Sequence, residues 1–155
     1  MWQSQRSRSE CCQNSNEGRV ALKRLYELMR LDPAPMTGQE LFSVLYGSTF
    51  KPDRSKIPGE VNAIADRVEK EYAEGKMLEK KPRILVTGCP IGGATEKVIK
   101  AIEDNGGVVV TFENCGGAKS VDRLVEEDAE DIYEAIAKRY LSIGCSVMTP
   151  NPNRI

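Results

Sequence analysis

RILVTGCPIGGATEKVIKAIEDNGGVVVTFENCGG, residues 83–117, decides the fold. Arg83–Thr87 is a short apolar run of the kind buried in parallel sheets, and it leads at once into Gly88-Cys89-Pro90-Ile91-Gly92-Gly93. Val98, Ile99 and Ile102 mark a helix from about Ala94 to Asn105, ended by Gly106-Gly107. Val108–Phe112 is the second strand, and Glu113-Asn114-Cys115-Gly116-Gly117 the second loop. Strand, loop, helix, strand, loop makes a right-handed crossover in a parallel sheet, so both loops leave from one sheet edge. In open α/β sheets ligands sit outside the carboxyl ends of the strands, which puts Cys89 and Cys115 where chemistry is expected.

Downstream, Ser120–Tyr140 reads as one helix with Val121, Leu124, Val125, Ile132, Ile136 and Tyr140 as core candidates and an acidic solvated side. Pro150 and Pro152 then forbid a regular helix, and Asn153-Arg154-Ile155 resembles the first turn of another. Two strands are too few to close an α/β core, so the expectation is a truncated domain. Upstream, apolar residues from Val20 to Leu31 recur at helical spacing over Glu17–Leu31, up to Asp32-Pro33-Ala34-Pro35. Thr37 with Glu40 is a capping box opening a second short helix that Gly47 terminates, and a third helix runs from about Glu60 to Gly75. The fold class is therefore α/β: a Rossmann-like parallel-sheet fragment over 81–155, incomplete, preceded by a helical connecting region over 17–80. Residues 1–16, MWQSQRSRSECCQNSN, carry one large apolar side chain and are expected to be a disordered lead.

Composition narrows the function. With 40% hydrophobic and 29% charged residues among 155, the chain is an ordinary globular one. It lacks the ~18 consecutive apolar residues of a membrane span and has no basic-then-apolar leader, so a cytoplasmic location without membrane partners is expected. Its 22 basic and 23 acidic residues provide no one-sided basic field for nucleic acid. Histidine is absent, which leaves thiolate or oxygen to hold any metal. Five cysteines without a secretion signal point to reduced thiols. Cys11 and Cys12 are adjacent, a spacing that rarely supports one chelate.

Cys89, Cys115 and Cys145 each lie beside glycine in a loop. Glycine lets a bulky inorganic cluster approach the backbone, and loop amides can hydrogen-bond to cluster sulfurs. The spacing is not specific, because no two of the three are within a few residues. Zinc would need four thiolates that the loops do not provide. Cys89 at a helix N-terminus also suits a low-pKa nucleophile, although no His and no evident acid stands beside it as base. TGCPIGG further suits a phosphate cradle, without the GxxxxGK[ST] pattern. Buried small hydrophobes are the ordinary alternative for any of these thiols.

RILVTGCPIGG, FENCGGAKSVDRLVEEDAEDIYEAIAKRYLSIGCSVMTPNPNRI (112–155) and RVALKRLYELMRLDPAPMTGQELFSVLYG (19–47) together resemble the 2-hydroxyacyl-CoA dehydratase and benzoyl-CoA reductase family, in its double-cubane cluster protein branch. The resemblance covers residue 17 onward. It implies an oxygen-sensitive iron-sulfur subunit of a low-potential reductase or dehydratase. A cluster, 4Fe-4S or a bridged double cubane, would take electrons from an ATP-dependent activator and pass them to a small molecule or an acyl-CoA. Cys115 and Cys145 are implied thiolate ligands, Cys89 a ligand or near-cluster residue, with Gly88, Gly92, Gly116 and Gly117 lining the cofactor. A further cluster domain or a homodimer partner would complete the site, and this chain alone is expected to be inactive. A non-catalytic phosphate- or coenzyme-binding module and an inactive gene remnant are the alternatives.

Overall fold

The computed structural model describes residues 5–88 and 94–144, with side chains described from Glu10 onward. Helices α1 (Gln5–Leu28), α2 (Gly38–Ser48) and α3 (Ile57–Ala73) precede strand β1 (Arg83–Thr87), helix α4 (Ala94–Asp104), strand β2 (Val108–Glu113) and helices α5 (Ala118–Val121) and α6 (Ile132–Leu141). The strands pair in parallel, Arg83 against Val108 and Thr87 against Glu113, with one irregularity between Ile84 and Leu85. The chain is thus α/β, as its periodicity implies. Among the described residues the sheet has two strands.

The helices ahead of β1 share their core with the sheet. Ala21, Leu25 and Met29 of α1, Leu41 and Leu45 of α2, and Val61, Ala65 and Val68 of α3 form one buried cluster with Val86, Ile99, Val109 and Phe112. Their three- and four-residue spacings put each set on one helix face. Arg24 of α1 reaches across to Asp66 and Glu69 of α3, both at 2.7 Å. The Arg83 guanidinium donates to Met29 O at 2.6 Å and Leu31 O at 2.7 Å, binding the first strand to carbonyls at the end of α1 that no helical N–H can reach. The capping box is present: the Thr37 hydroxyl accepts from Glu40 N–H, and Glu40 accepts from Thr37 N–H at 2.8 Å. Val20 and Leu31, members of the apolar repeat over Glu17–Leu31, are 54% and 37% exposed.

Two expectations are corrected. The polar segment 1–16 is not a disordered lead over its described part, because α1 begins at Gln5. Its anchors are Cys12 and Asn16, both buried: Cys12 packs with Val125 and Ala135, and the Asn16 amide donates to Val125 O at 2.7 Å while its Oδ1 accepts from Val125 N–H at 3.0 Å. The same contact divides the helix expected over Ser120–Tyr140. With both Val125 backbone groups bonded to Asn16, that residue cannot join a helical ladder, and residues 122–131 are not helical. Asp131 then opens α6, its Oδ1 accepting from Tyr133 and Glu134 N–H. Leu124 and Tyr140 accordingly lie half exposed instead of in the core.

Candidate functional site

The parallel register brings the ends of both strands together. Thr87 Oγ1 donates to Glu113 Oε2 at 2.5 Å, and Gly88 N–H donates to Glu113 O at 3.4 Å. Lys119, on the first turn after the second loop, closes on Glu113 Oε1 at 2.7 Å. The Lys119 ammonium and then the Thr87 hydroxyl hold the Glu113 carboxyl below its ordinary range, so it stays ionised and is a weak base. The sequence offered no evident acid near Cys89. Glu113 stands beside Thr87, two residues before Cys89, and the signal that could have found it was the pairing of the last residues of two parallel strands.

The sequence-predicted residues divide by position. Cys115 is exposed in the loop after β2, with Gly116 and Gly117 beside it. A Cβ on Gly116 would meet only Asn114 Oδ1, at 3.9 Å, which leaves that side of the loop open. Gly117 differs: its Cβ would fall 2.1 Å from Phe112 O and 2.8 Å from Phe112 Cβ, so β2 itself requires glycine there. Gly88 has φ +123°, a conformation that glycine adopts without cost, and nothing lies within 4 Å of a Cβ built on it. Cys89, Gly92 and Cys145 lie outside the described residues. Among the described residues no three His, Cys, Asp or Glu side chains gather in a metal-binding group.

A cavity of about 370 Å³ adjoins this sheet end, lined by Glu113, Ala118, Lys119, Ser142 and Gly144 among others. Glu113 stands two residues before Cys115, and Gly144 directly precedes Cys145. The segments leading to two of the predicted thiolates therefore border one space. An exposed thiol beside an open glycine, at the carboxyl end of the strands, fits an iron-sulfur group on donor chemistry and on room.

The sequence profile described as 2-hydroxyglutaryl-CoA dehydratase, D-component, matches residues 4–155. The chain belongs to that family. The match includes the polar half of α1, which the resemblance read from the sequence left out. A relative from Escherichia coli (strain K12), named "Putative dehydratase subunit YjiM", is 47% identical over 140 residues. The alignment covers 90% of this chain and 36% of the relative, so the chain spans about a third of that relative's length. Among the described residues no helix is long and apolar enough to cross a membrane.

Proposed function

We propose that this chain forms part of an iron-sulfur subunit of a low-potential reductase or 2-hydroxyacyl-CoA dehydratase. Cys115 and Cys145 are thiolate ligands in this reading, and Cys89 is a third ligand or a near neighbour of the cluster. The observation that supports it is the cavity bordered by Glu113 and Gly144, since the chain segments that lead to Cys115 and to Cys145 border one space. A 4Fe-4S or double-cubane cluster bound there would supply one-electron transfer at low potential. An ATP-dependent activator delivers the electrons, and a further cluster domain or a second copy supplies the ligands that this chain does not. The acceptor is a small molecule or an acyl-CoA.

The chain's own residues have defined parts in this reading. Cys115 presents its sulfur to solvent, Gly116 leaves room on the same loop, and Gly117 seats the loop against Phe112. The Glu113–Lys119 pair, with Thr87, ties the loop's start to the end of β1. Anaerobic reconstitution with iron and sulfide tests the proposal. The wild-type protein is expected to turn brown with a sulfur-to-iron charge-transfer absorption, and the Cys115→Ser, Cys145→Ser double variant to stay colourless. Equal iron content and colour in the two proteins would overturn it.

A further inference from the structure

Arg139 is a buried cation. It is 6% exposed, its Nε–H donates to Arg123 O at 3.0 Å and an Nη2–H to Ser120 O, and among the described residues no carboxylate pairs with it. Buried charges are normally paired, because an ion loses hydration that only an opposite charge or several hydrogen bonds replace. Arg139 borders a cavity of about 230 Å³ that Arg19 and Arg54 also line and that reaches Gly116. Neither of those arginines has an ion pair among the described residues, and no Asp or Glu lines the cavity. Burial lowers the pKa of Arg19, and the fields of Arg139 and Arg54 lower it further, so three like charges converge on one space.

Three of the hydroxyls around the cavity are already committed. The hydroxyls of Ser48, Thr49 and Ser120 donate to the backbone carbonyls of Leu45, Tyr46 and Gly117. Guanidinium N–H groups are the charged donors the site has to offer, and each arginine carries five in a planar fork. Arg19 uses one on Asn16 Oδ1, at 2.8 Å. A carboxylate, with one charge and two oxygens, would satisfy one fork. A phosphoryl group has up to two charges and at least three oxygens, which suits several forks at once.

We propose that the cavity between Arg19, Arg54 and Arg139 binds the phosphoryl group of a phosphate-bearing ligand. The three arginines lie outside the proposed cluster ligands, although the cavity reaches Gly116 beside Cys115, and the phosphate test on metal-free protein does not depend on the cluster. Arg54 is exposed at the start of the short 3-10 turn Arg54–Lys56, so Arg54→Gln removes a charge without opening the core. Calorimetric titration of the metal-free 155-residue protein with inorganic phosphate, and separately with adenosine 5′-monophosphate, distinguishes a free anion from a phosphate ester. Arg54→Gln is expected to weaken whichever binds by about tenfold or more, with an unchanged thermal midpoint in the absence of ligand. Arg67→Gln, an exposed arginine of α3 outside the cavity, is expected to bind like wild type. No heat from either probe at millimolar concentration, or equal losses in Arg54→Gln and Arg67→Gln, would overturn the proposal.

Discussion

Cys12 lies in the polar half of α1 and is buried against Val125 and Ala135, whereas Cys115, in the loop after β2, is open to solvent. Burial raises the Cys12 thiol's pKa, with the Arg19 charge acting against the shift, so Cys12 is kept protonated as a small apolar group. Around Cys115 the chain instead leaves one glycine open and fixes the next against Phe112. The two sites teach that a thiol's role here follows from what the neighbouring backbone is doing. A cysteine flanked by polar residues became core because Asn16 recruited a distant segment over it. A cysteine flanked by glycine stayed outside because its loop is tied down on either side, at Glu113 and at Gly117.

The adjacent glycines give the largest test of that contrast. Gly117→Ala is expected to cost about 3 kcal/mol or more in urea unfolding, since Phe112 must move. Gly116→Ala should stay within about 0.5 kcal/mol. Equal stabilities would show that the loop is not seated on β2. At the other site, Asn16→Ala leaves both Val125 backbone groups without their partner and is expected to cost about 2–3 kcal/mol. A loss below half a kcal/mol would make the polar end of α1 an appendage of the fold.

Thiol reactivity sharpens the comparison directly. Iodoacetamide near neutral pH, followed by peptide mass mapping, should label Cys115 at least about ten times faster than Cys12. Comparable rates would break the assignment of one thiol to core and the other to surface. The smallest effect concerns the tie at the start of the exposed loop. Because Lys119 and Thr87 depress the folded pKa of Glu113, the stabilisation is complete above its ordinary value of 4.5 and is lost as pH falls through the lower folded value. Glu113→Gln should therefore cost about 1 kcal/mol at neutral pH, and the difference from wild type should vanish in acid. A difference independent of pH would mean that the carboxylate's charge has no part in holding the loop.

Much of the α/β unit was legible because its signals are local. The apolar runs at 83–87 and 108–112 mark the strands, Gly106-Gly107 follows the helix between them, and Thr37 with Glu40 caps α2 through groups three residues apart. The exposed loop position of Cys115 was legible for the same reason, since glycine beside cysteine at a strand end is a pattern of neighbours. Glu113 was not, because its place beside Thr87 depends on the register between strands. Arg139 was hidden among the charges of a helix read as a solvated face, although it is buried.

The sequence by itself determined the parallel strand–helix–strand unit, the glycine-lined loop after its second strand and the family resemblance, all carried by residues close together in the chain. Only the tertiary structure decided that α1 starts at Gln5, that the segment before α6 is not helical, and that three arginines meet at one cavity. The reason is physical: the Asn16–Val125 hydrogen bonds join residues 109 positions apart, and no local propensity encodes a partner at that distance.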